Sequence, residues 1–197
     1  MRDIDVRLAL HDKVLHEHRK DSDTRVLDEL GVRHGVSRVD VAVVNGYLHG
    51  YEIKSDSDTL QRLPNQVAIY NEVFDHVTLV VGAKHAEKAA SIIPDWWGIR
   101  VATEGKRGGI SFKVSRKPKK NPGINPIALA ELLWRDEVVQ ELQILGESGP
   151  ILRKPRATLY QYLAEVMELD ELRTVVRQRL KARENWRGQR SLSSNVG

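Results

Sequence analysis

The sequence predicts an α/β protein: a mixed central sheet flanked by helices, followed by a small, basic, all-helical module. Three observations predict it. Two strand-like runs, residues 38–44 and 47–54, flank Asn45-Gly46, and Asn-Gly between alternating apolar residues is a strong hairpin signal. From residue 64 to 114, helix-like and strand-like segments alternate, as crossovers in a sheet require. Beyond residue 126 the apolar residues recur at helical spacing while Lys and Arg accumulate.

Residues 3–18 read as an amphipathic helix, with Ile4, Leu8, Val14 and Leu15 on one face and Asp3 and Asp5 where the helix dipole favours acids. His11, His16 and His18 lie on it without a His-x-x-x-His pair, so they read as a solvated face rather than metal ligands. Asp21-Ser22-Asp23 looks like a helix start, and residues 24–30 like a short helix ended by Gly31. Val26, Leu27 and Leu30 would pack in that helix, and Glu29 would sit near its end.

Charges then interrupt the hairpin. Val39, Val41 and Val43 alternate with Asp40, and Tyr51 and Ile53 alternate with Glu52 and Lys54. A regular two-residue turn at Asn45-Gly46 would pair Asp40 with Tyr51 and send Glu52 to the other face of the sheet. A three-residue loop or a bulge restores a shared face for Asp40, Glu52 and Lys54, and also aligns the apolar residues. That register is the one expected.

An acid followed by Glu-x-Lys on the next strand resembles the PD-(D/E)XK phosphodiesterase superfamily, with Val39 in place of the proline that names the motif. Gln66-Val67-Ala68-Ile69-Tyr70 resembles the Gln-x-x-x-Tyr element of its RecB-type nucleases, and Glu29 lies where those families carry a further acid. The likeness covers about residues 20–80 and extends to a group of poorly characterised bacterial and phage proteins assigned to the superfamily. It implies a restriction-endonuclease-like sheet and metal-dependent hydrolysis of phosphodiester bonds, with DNA favoured and RNA the alternative. Glu29, Asp40 and Glu52 would hold Mg²⁺, for which Mn²⁺ would substitute. Lys54 would orient the attacking water, and Gln66 and Tyr70 would line the site.

Asp58 and Gln61 match a capping pattern, and Pro64 suits the first position of a helix from 64 to about 74, which places Gln66 and Tyr70 on one face. Asp56 and Asp58 read equally as caps or as ligands of a second metal. Residues 77–81 read as a buried strand and 83–93 as a helix stopped by Pro94. Residues 96–101 and 110–114 complete the strands, with Trp96 and Trp97 packing on helices rather than stacking on bases. Residues 116–125 form a basic, Pro-containing linker, so the domains expected are 1–115, the helical module 126–187 and a disordered tail 188–197. In the module, residues 126–145 read as one helix, residues 157–167 as a second, and a third is capped by Asp170. Its helix–extension–helix order loosely resembles small DNA-binding modules of the SAP type. Arg153, Lys154, Arg156, Arg173, Arg177, Arg179, Lys181 and Arg183 make it basic enough to meet phosphates.

The 197 residues fit one substantial domain with an appendage, and 41% hydrophobic residues suffice for a core. The absence of cysteine excludes disulfides and cysteine-based zinc sites. No apolar signal region and no run of ~18 apolar residues appears, which predicts a cytoplasmic protein. The net charge of +4 falls mainly behind residue 116, as suits an enzyme with an attached polyanion-binding part. Non-catalytic nucleic-acid binding, or docking of a homo-oligomeric or protein partner, is the alternative.

Overall fold

The computed structural model describes residues 1–183; residues 184–187 and the expected disordered tail, 188–197, lie outside them. Six strands form one mixed sheet in sequence order, β1 (Arg25–Val32), β2 (Ser37–Val44), β3 (Leu48–Lys54), β4 (His76–Gly82), β5 (Gly98–Glu104) and β6 (Ile110–Arg116). The β3–β4 and β4–β5 pairs are parallel, and the others are antiparallel. Helices α1 (Asp3–Lys13) and α2 (His16–Lys20) precede the sheet, and α3 (Leu63–Asn71) and α4 (Ala86–Ala90) make the two crossovers. The helices α5 (Pro126–Ala130), α6 (Arg135–Ile144), α7 (Arg156–Val166) and α8 (Leu169–Ala182) follow it.

The sheet is apolar on both faces. Val41, Val43, Tyr51, Ile53 and Val80 meet Val6 and Leu10 of α1. Leu27, Val44, Leu48, Leu79 and Val81 face the opposite layer, where Tyr70 of α3, Trp97 and the four C-terminal helices pack. Tyr70 and Trp97 stack with centroids 6.1 Å apart, and Trp97 Nε1 donates to Asn71 Oδ1 at 2.9 Å. No helix among the described residues is long and apolar enough to cross a membrane.

Several sequence expectations are corrected. The helix read over residues 24–30 is the strand β1. Its alternation is broken at Glu29, whose φ of 57° is left-handed, so Leu27 and Leu30 both reach the core although three residues apart. Apolar residues three apart imitate helical periodicity, while pairing along nearly all of β2 decides the outcome. The helix expected over 3–18 breaks at Val14-Leu15, where the N–H groups of both residues turn back to Leu10 O. His11 is buried, not solvated: its Nε2 lies 2.7 Å from Asp28 Oδ1, and Arg19 donates to its Nδ1 at 2.8 Å. The single helix read over 126–145 is two helices, interrupted at residues 131–134.

A further correction concerns the boundary. Residues 117–125 are tied down rather than free: Lys119 N–H bonds Trp96 O, Asn121 N–H bonds Asp75 O, and Asn121 Nδ2 donates to Asn71 O and Phe74 O. The connection before α7 is a 3-10 turn, Gly149–Arg153, not the extension of a SAP-like module. Leu129, Leu159, Leu163, Leu172, Val176 and Leu180 belong to the same apolar cluster as Leu27 and Val44 of the sheet. The helices are therefore a layer of one core and not a separate module. Each such side chain, fully buried, contributes up to about 1.5–3 kcal/mol. A chain cut after Arg116 would leave that sheet face in water. Its thermal unfolding is expected to lose cooperativity, with association at micromolar concentration, whereas a sharp transition in calorimetry would restore the two-domain reading.

Candidate active site

β2 and β3 are joined by the three residues Asn45, Gly46 and Tyr47, with Asn45 Oδ1 accepting from Tyr47 N–H at 3.0 Å. The register Val41↔Tyr51, Ala42↔Gly50, Val43↔His49, Val44↔Leu48 sets the next positions, Asp40 and Glu52, opposite each other. The odd loop thus gives the facing carboxylates that the sequence requires. Backbone pairing stops at Val41–Tyr51, and Asp40 Oδ2 accepts from Ile53 N–H at 2.6 Å. The side chain of one strand takes over where its backbone turns away.

A polar cavity of about 530 Å³ opens at this point, lined by Asp40, Glu52 and Lys54 together with residues of α1, the β1–β2 turn and α3. Glu52 is 1% exposed, and all its oxygens are engaged. Lys54 Nζ donates to Oε1, as does Gln66 Nε2 at 2.5 Å, and Tyr70 Oη lies 2.9 Å from Oε2. The same hydroxyl is 2.8 Å from Arg38 O and accepts from Ser37 Oγ at 3.3 Å. Gln66 and Tyr70 can both reach Glu52 because they stand one turn apart on α3, whose start is fixed by Pro64.

Arg7 is the participant that sequence reasoning missed. Its guanidinium comes from α1 and contacts Glu29 Oε1, Asp40 Oδ1 at 2.8 Å and Asp3 Oδ2 at 3.3 Å. An Asp at i and an Arg at i+4 is an ordinary helix pair, so nothing in its spacing announces the role. Glu29 is placed at this rim but is held by Arg7 and lies 3.7 Å from Arg38 Nη1. Among the described residues no three His, Cys, Asp or Glu side chains converge as a metal cluster. Glu29 is an ion-pair partner of Arg7 and Arg38, while Asp40 and Glu52 face each other across the two strands. Asp56 and Asp58 are turn residues: Asp58 Oδ2 accepts from Ser55 N–H at 2.7 Å, and Asp56 Oδ1 from Lys84 N–H at 3.2 Å.

The basic residues expected to meet phosphates divide in two. Arg173 pairs with Asp75 and Asp170, Arg179 with Glu141, Lys181 with Asp23, and Arg183 with Glu137. Arg177 donates to Thr174 Oγ1, while Arg153, Lys154 and Arg156 are exposed.

The family described as Bacteriophage P4 protein cII matches residues 2–193. The chain belongs to that family. Protein cII of Enterobacteria phage P4 is 26% identical over 183 residues, spanning 93% of this chain and 68% of the phage protein. A solved structure of a protein of unknown function from Silicibacter pomeroyi aligns at 21% identity with a TM-score of 0.42, over 74% of this chain and 93% of that one. The cII match runs through the sheet and all four C-terminal helices, as befits a chain with one core.

Burial, and secondarily the charge of Glu52, pushes the Asp40 carboxyl up to about 8, against the opposing pull of Ile53 N–H and Arg7. Burial likewise raises Glu52, with Lys54 opposing, and raises Asp3. The unfolded Asp40 releases its proton near the ordinary value of about 3.9. Its folded pKa is higher, so the associated stability is complete below that ordinary value and is lost as pH rises through about 8. In metal-free buffer the thermal midpoint should fall between about pH 5 and about pH 9, and Asp40→Asn should flatten the fall. An identical slope in the variant would assign it to other groups.

Proposed function

We propose that this chain is a metal-dependent nuclease of the PD-(D/E)XK type, with a restriction-endonuclease-like fold, hydrolysing phosphodiester bonds with DNA as the favoured substrate. The observation that carries the reading is Asp40 opposite Glu52 at the point where two strands part, with Lys54 on the same face and Gln66 and Tyr70 reaching Glu52 from α3.

The residues present fit Mg²⁺. Burial raises the proton affinity of both carboxylates, and the charge of Glu52 raises that of Asp40 further, a repulsion that a cation relieves. Gln66 Oε1 is buried beside them without a hydrogen-bond donor, an acceptor that a hydrated ion satisfies. The donor set is all oxygen, and Mg²⁺ commonly takes only one or two carboxylates while keeping waters. Asp40 and Glu52 would hold it; when bound, the ion supplies a Lewis acid for the phosphoryl oxygen and acidifies water.

The chain's own groups do the rest. Gln66 and Tyr70 fix the two oxygens of Glu52, so its orientation is set before substrate arrives. Lys54, 5% exposed, keeps an ammonium in the cavity where negative charge develops as water adds to phosphorus and the ester oxygen leaves. Arg7 balances Asp40 and Glu29 in the free protein.

One observation favours a second reading, nucleic-acid binding without cleavage. Both carboxylates already have an internal cation, Arg7 at Asp40 and Lys54 at Glu52. Cleavage of supercoiled plasmid and of linear single and double strands separates the two. The nuclease reading expects Mg²⁺- or Mn²⁺-dependent products and a loss of about 10²-fold or more in Asp40→Ala and Lys54→Ala, with unchanged circular dichroism. It also expects heat of Mn²⁺ binding that disappears in Asp40→Ala. Wild-type protein that binds neither ion and cuts nothing supports the binding reading instead.

A further inference from the structure

The carboxylate cavity does not end at Arg38. A second cavity of about 590 Å³ adjoins it and shares Glu29, Gly35 and Arg38 with it. The saddle between the two is built from left-handed backbone: Glu29 (φ 57°), Arg33 (φ 52°), His34 (φ 55°) and Gly35 (φ 87°). Non-glycine residues adopt this conformation at a cost, and it persists where the surrounding structure imposes it, commonly at ligand sites. Among the described residues, these three are the only non-glycine ones with positive φ, and all lie in or beside this saddle.

On the far side stands Trp134, 57% exposed at the start of α6. Its ring is not loose. The Arg183 guanidinium carbon lies 4.2 Å from the ring centroid. Arg183 is itself anchored, with Nη2 and Nε donating to Glu137 at 2.6 and 3.1 Å and Nη2 to Leu132 O at 2.8 Å. Glu137 Oε2 also accepts Trp134 N–H at 2.7 Å. A buried cation thus clamps the indole and leaves its exposed part to solvent beside the cavity. An aromatic surface already immobilised loses little freedom on binding and stacks on any base, since every base has a π-face. Arg38, Arg135 and Arg156 are exposed on the same rim.

We propose that the two cavities form one track for a single-stranded segment of nucleic acid, a reading that rests on the carboxylate cavity receiving a phosphodiester. The bond to be cut lies at Asp40 and Glu52, the strand crosses the saddle at Gly35 beside Arg38, and a base further along stacks on Trp134 with Arg156 near its phosphate. Bases inside a duplex are covered on both faces by their neighbours, so Trp134 stacks only on an unpaired or terminal base.

The test uses the full chain in EDTA, where binding is read without chemistry. Labelled oligothymidylate and a duplex of equal length are titrated by fluorescence anisotropy into wild type, Trp134→Ala, Trp134→Phe and Arg156→Glu. The single strand should bind tighter than the duplex. Trp134→Ala should weaken it about tenfold, the scale of one stacked base, while Trp134→Phe keeps most of the affinity. Arg156→Glu should flatten the salt dependence. Oligothymidylate should also quench wild-type tryptophan fluorescence, and Trp134→Phe should lose that quench, a readout that misfolding of the alanine variant does not imitate. Equal affinity of wild type and Trp134→Ala with an undiminished quench in Trp134→Phe overturns the track and leaves the cleavage reading standing, as does a preference for duplex. Wild-type protein that binds no nucleic acid in EDTA overturns the track, while products from plasmid or oligonucleotide in Mg²⁺ or Mn²⁺ decide the cleavage reading separately.

Discussion

Everything at the site depends on how β2 and β3 separate. Backbone pairing between them ends at Val41–Tyr51, and the Ile53 N–H that follows is taken by the Asp40 carboxylate instead of a strand carbonyl. A buried N–H left unpaired would cost about 1–3 kcal/mol, so the parting of the strands requires an acceptor at this position. That requirement fixes the Asp40 side chain opposite Glu52, and with it the charge conflict that Arg7 and Lys54 moderate. Strand geometry and site chemistry have one origin.

The core supports this arrangement from behind. Tyr70 touches Glu52 with its hydroxyl, while its ring packs edge-on against Phe74 and stacks on Trp97. The orientation of the Glu52 carboxylate is thereby set by aromatic packing, which is stiff because dense interiors leave little room for rotation. The C-terminal helices close the same apolar cluster, and four of their basic residues are spent on ion pairs within the fold.

How much of this the sequence disclosed follows from what each residue's pattern can encode. Asp40, Glu52 and Lys54 are charges interrupting apolar strands, and only a shared face reconciles them with their neighbours, so the register was legible from alternation alone. Gln66 and Tyr70 were picked out by their likeness to a Gln-x-x-x-Tyr element, and helical spacing after Pro64 put them on one face. Strand β1 was not, because one left-handed residue, Glu29, shifts the phase of its alternation and makes a strand look helical. Arg7 was invisible because its partners are 22 and 33 residues away and its local spacing is ordinary. The C-terminal charges were counted correctly but their partners were not, since composition records how many arginines there are and not which carboxylates they face.

The strand order carries a consequence for how the molecule assembles. Each strand lies beside its neighbour in sequence, so the sheet can grow outward by accretion and never has to thread one strand between two already joined. The first three strands close through short connections, the later parallel ones only through crossovers whose loop entropy must be met first. Asp40 and Glu52 both belong to that three-stranded meander, whose connections are the shortest in the sheet. Short connections favour pairing of the meander before the crossovers close, and like charges that meet at that stage do so in a high-dielectric medium, which lowers the barrier to bringing them together.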